Sequence, residues 1–370
     1  MNNKKIKVFF FHSFSELGGA DLSIARLINF SDTKKFDIEF LSLNKPKIKG
    51  LIKKQIKYNI LNNKRTITSI FPLRKLAKKN IQSKKFKKII FVSNQFHCNL
   101  TSIFALFFLR EIKLVLFERN HPDVLKYSKN VLSKFKNFCI KILIKLFYKN
   151  VDLILANTKE SAYDWSKISG KKVINIYNPA YDKKIIKLSK KKISKKFSII
   201  NIGRLEDQKD HATLIKAFEL IKNKKNLNLL IIGYGSLKKN IQNLIVKFNL
   251  QNKIKILSNI SNPYPYLKNS KLFVLSSKYE GFPNVIAESI MLNTPVISSN
   301  CRSGPKEILL NGAGGELFNV GDHYNLSKKI ENFFENQKPL KKKLTVAKKN
   351  INRFNIKTIS NKFWSLIENI

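Results

Sequence analysis

Short apolar runs rich in β-branched and aromatic residues alternate, twice over, with stretches of helical periodicity. The first series reads IKVFFF, FDIEFLSL, KKIIFVS, IKLVLFE and DLILANT, and the second reads FSIINIG, LNLLIIG, KIKIL, KLFVLSS and TPVISS. Runs of this length and composition are strands. Strands that are apolar throughout and separated by helices build parallel sheets covered on both faces. At 370 residues the chain is too long for one ordinary core, so two doubly wound α/β domains in tandem are expected. The seam is expected where Asn178-Pro179 breaks the pattern and a lysine-rich stretch follows, which gives domains of 1–178 and 179–354. The last helical pattern, from about Leu344 to Ile370, has no strand after it. Its end, about 355–370, is expected to pack back on the first domain.

The amino-terminal MNNKKIKVFFFHSF passes into polar residues without a small-residue cleavage site, and reads as a first strand. The apolar stretches, such as Leu100 to Leu109, stop at charges short of the ~20 residues a membrane span needs. Three scattered cysteines, Cys98, Cys139 and Cys301, offer neither a disulfide framework nor zinc-ligand spacing, so a reducing cytoplasm is expected. The 71 Lys and Arg against 24 Asp and Glu give a formal charge of +47. That excess favours polyanions, an anionic membrane surface among them. It also accompanies abundant Lys, Asn, Ile and Phe, as AT-rich codons would produce. No aromatic RNA-binding motif or zinc finger accompanies it, and no nucleic-acid partner is expected.

In doubly wound sheets, ligands sit outside the carboxyl ends of strands, and five loops there carry chemistry-bearing residues. SSKYEGFPNVIAES, 276–289, sets Glu280 on a loop and Glu288 on a helix apolar nearly all round. Because helical side chains lean toward the amino terminus, Glu288 can reach back toward the Glu280 loop. Two carboxylates beside a helix start suit vicinal hydroxyls plus a phosphate, the two halves of a sugar nucleotide. Internal donors are the alternative for Glu288. In NIGRLEDQKDHATLIKAF a strand ends at Gly203, Arg204 and Lys209 flank the turn, and Asp210 caps a helix. The two cations would cradle a diphosphate, or else pair with Glu206 and Asp207 on their own loop. Gly18 and Gly19 end the first strand-to-helix loop, and Gly233 and Gly235 repeat the theme, without the GxGxxG or GxxxxGK spacing of dinucleotide or P-loop sites. LVLFERNHPD places Glu118, Arg119, Asn120 and His121 after a strand; His121 is either a polariser of a sugar hydroxyl or a surface histidine.

Together LGGAD (17–21), GRLEDQKDHATLIKAF (203–218), NPYPYL (262–267), LSSKYEGFPNVIAES (275–289) and CRSGPKEIL (301–309) resemble the retaining glycosyltransferases of the GT-B architecture known as family 4. The resemblance covers nearly the whole chain, and the seven-residue interval between Glu280 and Glu288 is its most specific element. It implies two Rossmann-like domains facing across a cleft, with the donor in the second and the acceptor in the first. It implies that Arg204 and Lys209 hold the diphosphate, Glu288 the ribose and Glu280 the transferred sugar. Gly281 and Phe282 would add backbone contacts, with Gly203 and Gly233 in the donor site, Gly18 and Gly19 near the diphosphate, and His121 near the reacting sugar. Relatives usually carry Glu where this chain has Asp21, and a glycine in the loop that here reads LSNIS (257–261).

The implied reaction moves a hexose or N-acetylhexosamine from a nucleotide sugar, UDP by similarity, to a growing cell-surface or lipid-linked glycan. No acid cluster for a metal is evident, so neither metal nor cofactor is expected. Rival readings are a glycosidase using both carboxylates, a GT-B sugar-nucleotide epimerase, and a non-enzymatic basic protein that docks on membrane or nucleic acid. The expected location is cytoplasmic, with the cytoplasmic face of the inner membrane as a peripheral site. KNVLSKFKNFCIKILIKLFYKN (129–150) interleaves lysines with Phe135, Phe138, Ile142, Leu146 and Phe147. It reads either as a membrane-surface helix or as a core-facing helix with a solvated lysine face, the commoner arrangement.

Overall fold

The computed structural model describes residues 4–13, 18–45, 50–127, 130–193, 195–223 and 227–370. Residues 14–17, with Leu17 of the LGGAD motif among them, and Lys129 lie outside the described residues. The chain divides into two units, one of Met1–Pro179 with Ile356–Ile370 and one of Ala180–Asn355.

The first unit holds a parallel sheet of seven strands among the described residues. They are β1 (Ile6–Phe11), β2 (Phe36–Ser42), β3 (Lys57–Ile60), β4 (Lys88–Asn94), β5 (Ile112–Glu118), β6 (Leu153–Ala156) and β7 (Val173–Asn175), in spatial order 3-2-1-4-5-6-7. Its helices are α1 (Gly19–Asn29), α2 (Ile70–Gln82), α3 (Phe96–Leu106), α4 (Val131–Phe147) and α5 (Lys159–Ser169). Alternate side chains divide β1 between two cores. Phe9 and Phe11 join one with Phe91 and Trp165, while Val8 and Phe10 join the other with Phe36 and Phe117. All six residues of β1 are buried, as a central strand covered on both faces must be.

The second unit holds β8 (Ile199–Ile202), β9 (Leu229–Ile232), β10 (Ile254–Leu257), β11 (Leu272–Leu275), β12 (Val296–Ser299) and β13 (Glu316–Phe318), all parallel, in order 10-9-8-11-12-13. After α6 (Lys184–Leu188), its helices are α7 (His211–Leu220), α8 (Lys238–Lys247), α9 (Tyr264–Asn269), α10 (Asn284–Met291), α11 (Gly304–Ile308), α12 (His323–Glu335) and α13 (Lys338–Lys349). Strand order reverses between β1 and β4 in the first sheet and between β8 and β11 in the second. A doubly wound sheet opens its ligand crevice at such a reversal, because successive loops there diverge to opposite faces.

Two expectations are corrected. The terminal helical pattern is not continuous: α13 ends at Lys349, a 3-10 turn spans Ile351–Phe354, and α14 runs from Ile356 to Glu368. Asn355 is extended, bridges to Tyr181, and the N–H of Ala180 donates to Phe354 O at 3.0 Å, so pairing interrupts the helix. α14 belongs to the first unit, where Phe363, Trp364 and Ile367 are buried and the Trp364 indole donates to Leu27 O at 2.9 Å.

The second correction concerns α4. Only one face packs on the core, through buried Ile144 with Ile140, Leu143 and Phe147. Phe135, Phe138, Ile142 and Leu146 point outward and are exposed. At about 100° per residue these four lie roughly opposite Ile140 and Ile144, so one helix carries two apolar faces. Among the described residues no helix is long and apolar enough to cross a membrane.

Candidate functional site

In the second unit β8 and β11 are neighbours, pairing Ile199 with Leu272 and Ile200 with Phe273. Their loops therefore emerge side by side at the reversal of strand order. After β8 the chain passes Gly203 and exposed Arg204 into a 3-10 turn, Asp207–Lys209. Asp210, at φ 44°, then caps α7, its carboxylate taking the Thr213 N–H at 3.3 Å and hydroxyl at 2.6 Å. After β11 the loop Ser276–Pro283 leads into α10.

The two loops are tied together at backbone level. The N–H of Lys278 donates to Gln208 O at 2.8 Å, the Gln208 amide to Tyr279 O at 2.9 Å, and the Ser276 hydroxyl to Lys209 O at 3.0 Å. Across that seam the Lys209 ammonium pairs directly with Glu280, whose same oxygen accepts from the Ser277 hydroxyl at 2.6 Å. The pair is well shielded, with side-chain exposures of 15% for Lys209 and 7% for Glu280. An ammonium has three donors, so the bond to Glu280 leaves capacity for a second anion. Arg204 sits nearby in sequence and structure, Nη2 at 3.3 Å from Gln208 Oε1.

The alternative pairing of these cations with Glu206 and Asp207 is not formed. Glu206 accepts from the Ser236 N–H and hydroxyl, both at 2.8 Å, and Asp207 pairs with Lys278 at 2.7 Å. Glu288 lies in the second turn of α10, 7% exposed, and accepts from the Tyr264 hydroxyl at 3.3 Å. Tyr264 belongs to the NPYPYL motif, but nothing in the spacing marks it as a partner of Glu288. Ser277 and Gln208 are likewise invisible in the sequence, since common polar residues in a loop carry no pattern.

Close approach of backbone requires glycine at Gly233 and Gly304, among others of this unit. A Cβ on Gly233, just after β9, would lie 1.9 Å from Gly203 O. One on Gly304, at the start of α11, would lie 2.3 Å from Gly281 O, which accepts the Gly304 N–H at 2.9 Å. Gly203 has its own Cβ direction filled by the Lys209 stem, at 3.3 Å. The Phe282 ring is buried against Phe354, centroids 4.9 Å apart, so toward a ligand this residue offers backbone.

In the first unit the ends of β1, β4 and β5 meet in a buried polar cluster. Arg119, 3% exposed, lies over the Phe117 ring and donates through Nε and Nη2 to Asn94 Oδ1 and through Nη1 to Asn178 Oδ1. Burial lowers its pKa to about 9, offset partly by Asp21. Glu118 accepts from Tyr148 at 2.6 Å and Asn99 at 2.8 Å, and burial raises its pKa to about 7. His12, 3.6 Å from Asp21, is lowered by burial to about 3 and is neutral at pH 7.

His121 is not a surface residue. It is 1% exposed, its Nδ1 accepts the Asp123 N–H at 3.1 Å, and its Nε2 lies 2.9 Å from Asp164 Oδ2. That arrangement fits the tautomer with the proton on Nε2, donated to Asp164. Gly18 and Gly19 open α1, where the Gly18 N–H donates to Asp21 Oδ2 at 2.7 Å. Asp21 thus closes the helix's own first turn. His121, Gly18 and Gly19 belong to the first unit, and Arg204, Lys209, Glu280 and Glu288 to the second. Among the described residues no three His, Cys, Asp or Glu are grouped as metal ligands.

The profile described as Glycosyl transferases group 1 matches residues 182–351. An uncharacterized glycosyltransferase of Methanocaldococcus jannaschii is 34% identical over 302 residues, 75% of this chain and 72% of that protein. The N-acetylgalactosamine-N,N'-diacetylbacillosaminyl-diphospho-undecaprenol 4-alpha-N-acetylgalactosaminyltransferase of Campylobacter jejuni is 29% identical over 343 residues, 90% and 91% of the two chains. Anabaena HepE, solved with UDP-glucose, shares the fold with a TM-score of 0.80 at 19% identity, over 98% of this chain and 100% of that one. The two parallel sheets with this strand order, and relatives of this extent, establish the fold as GT-B and the chain as an enzyme of the glycosyl transferases group 1 family.

Proposed function

We propose that the protein is a retaining, metal-independent transferase of family 4, moving a hexose or N-acetylhexosamine from a UDP-sugar to a growing lipid-linked or cell-surface glycan. The observation that carries this reading is the meeting of Lys209 and Glu280 at the β8/β11 reversal, with Arg204 on the same loop and Glu288 on the helix that follows. Cleaving the bond between a sugar and a diphosphate leaves negative charge on the departing oxygen. Arg204 and the remaining donors of Lys209 meet that charge, a preorganised effect worth about 3–4 kcal/mol per donor. Side chains supply this positive charge, which is why the reading calls for no metal.

Glu288 accepts the ribose hydroxyls and Glu280 those of the transferred sugar, while Lys209, bonded to Glu280, couples the sugar site to the diphosphate site. Gly281 and Phe282 contribute backbone, and Gly203 and Gly233 let backbone approach the donor. The reading also assigns Gly18 and Gly19 to the diphosphate and His121 to the reacting sugar; Nδ1 of His121 is taken by the Asp123 N–H and Nε2 by Asp164, so that role requires one of these bonds to yield. Two relatives support the substrate classes: HepE binds UDP-glucose, and the Campylobacter enzyme bears the name of a lipid-diphosphate acceptor. A lipid-linked acceptor supports the reading of the enzyme as a peripheral protein at the cytoplasmic face of the membrane.

A thermal-shift panel of nucleotide sugars tests the donor site. One UDP-sugar stabilises the wild-type chain, and Glu288→Ala abolishes that shift. A panel without any stabilising nucleotide sugar, or a shift that survives Glu288→Ala, overturns the assignment.

A further inference from the structure

The outward face of α4 has the wrong composition for a surface in contact with water alone. Val131 is 81% exposed, Leu132 76%, Phe135 65%, Phe138 59%, Leu146 51% and Ile142 43%. Isolated exposed apolar side chains are ordinary, but a contiguous set along one helix marks an interaction surface. At the adjoining end of α3, Phe108 is 82% exposed and packs at a tilt against Phe107, which in turn meets the edge of Phe147 of α4.

The charges around this face are of one sign. On the helical wheel Lys134, Lys141 and Lys145 flank one edge of the apolar arc and Lys136 the other. Between Asp123 and Asp152 the sequence contains no Asp or Glu. A second copy of the chain docking through this face would bring lysine against lysine, in a protein of formal charge +47. An anionic bilayer answers both parts of the surface: phosphates meet the lysines, and the acyl boundary takes the aromatic and aliphatic side chains.

We infer that the outer face of α4 is a membrane-docking surface that lies in the headgroup layer of an anionic bilayer. This rests on the reading of the protein as peripheral and says which surface does the work. α4 is anchored to the core by Ile144 with Ile140, Leu143 and Phe147, so the helix does not need to unfold or swing out to present Phe135 and Phe138. The docked helix holds the first unit against the surface where a lipid-linked acceptor resides.

Cosedimentation of the full chain with vesicles of phosphatidylcholine, with and without phosphatidylglycerol, tests the inference. Wild type partitions onto the phosphatidylglycerol vesicles, and salt weakens the binding. Phe135→Asn with Phe138→Asn lowers the partition coefficient about tenfold or more. Lys134→Gln with Lys141→Gln and Lys145→Gln lowers it roughly a hundredfold, at about fivefold per lysine. The same change at Lys338, Lys341 and Lys342 on α13 serves as a control for charge in general and alters it by less than about threefold. Val131→Ser with Leu132→Ser, at the more exposed first turn, repeats the apolar test should the phenylalanine variant fail to fold.

The inference is overturned if wild type ignores the vesicles, if the apolar variants bind as wild type does, or if the α13 control loses as much as the α4 variants. It is also overturned if sedimentation equilibrium shows a dimer that the phenylalanine variant abolishes. Stabilisation by UDP-sugar, measured on the same samples, is unchanged in the α4 variants. Wild type that binds the vesicles but shows no such shift counts against the donor site alone.

Discussion

Replacing Lys209 with Met separates what its ion pair does for folding from what it does for chemistry. The substitution keeps the length of the side chain and leaves the Glu280 carboxylate, 7% exposed, with Ser277 as its remaining donor at 2.6 Å. Removing one member of a buried pair costs about 3–5 kcal/mol. Lys209 retains 15% exposure, so water screens part of this and about 2–3 kcal/mol is expected. For a unit of this size that is a fall of about 4–12 °C in the melting transition of the second unit. Turnover falls further, by about 10²–10³ in kcat, because the leaving diphosphate loses a donor.

The double variant Lys209→Met with Glu280→Gln removes the stranded charge and brings stability back to within about 1 kcal/mol of wild type. Turnover does not return with it. Calorimetry and release of nucleoside diphosphate from the donor, measured on all four members of the cycle, decide the matter. Recovery of turnover together with stability, or a Lys209→Met enzyme within about tenfold of wild type, would show the pair to be a structural clasp and refute its place in the chemistry.

Stability as a function of pH has opposing contributions from the two kinds of buried titratable group. Glu118, raised to about 7 in the fold against an ordinary 4.5, contributes stability that is present below pH 4.5 and lost as pH rises through 7, about 3 kcal/mol by linkage. Glu118→Gln keeps an acceptor for Tyr148 and Asn99, so its urea midpoint exceeds that of wild type at pH 8 and matches it at pH 4; parallel curves would remove Glu118 as the cause. His12, His97 and His211, lowered by burial to about 3, 4 and 4, contribute in the opposite sense, and stability falls as pH drops from 6.5 toward 4. Gly233→Ala sets a methyl 1.9 Å from Gly203 O and costs about 3 kcal/mol or more, read as early melting of the second unit with loss of donor binding. Trp364→Ala removes a ring packed against Phe10 and Phe36 and costs the first unit about 3–5 kcal/mol in urea unfolding followed by Trp165 fluorescence. Glu288→Gln leaves an acceptor for Tyr264 and so keeps stability while weakening donor binding about tenfold or more; Tyr264→Phe changes donor binding by less than about fivefold. Equal losses in the two would make Glu288 a core group.

The central strands are legible in the sequence because both their faces are buried, which forces unbroken apolar runs such as IINI and LFVL. β3, β7 and β13 escape the same reading, and each lies at an edge of its sheet. An edge strand is half wet: β3, KYNI, has no buried residue. The break between α13 and α14 is hidden for a different reason, since it depends on pairing with Tyr181, more than a hundred residues away in the chain. In α4 the periodicity is plain, but helical spacing says only that a face is apolar. Which of its two apolar faces packs on the sheet is decided by tertiary contacts. At the candidate site the spacing of Glu280 and Glu288 is visible, while the pairing of Lys209 with Glu280 follows from β8 lying beside β11, a fact of topology.

The distribution of acid in this chain argues for what the loops are for. Of its 24 Asp and Glu, four are buried among the described residues: Asp21, Glu118, Glu280 and Glu288. Burying a carboxylate is unfavourable unless donors meet it, and a chain with 71 cations could leave every acid paired at its surface. All four instead lie between the last residue of a strand and the second turn of the helix after it, two in each unit. The pair in the first unit is answered by a backbone N–H, a phenol and an amide. Asp21 takes the Gly18 N–H, and Glu118 takes Tyr148 and Asn99 with a pKa raised to about 7. In the second unit Glu280 is bonded to a cation and a hydroxyl, and Glu288 to a phenol on another helix. Ser277 and Tyr264 each present a hydroxyl to one of the two acids, the donor type that a ribose or a transferred sugar carries, and Lys209 keeps further donors for a phosphate. The folded chain therefore holds in place, through its own side chains, the hydrogen-bonding pattern that the proposed donor would take over.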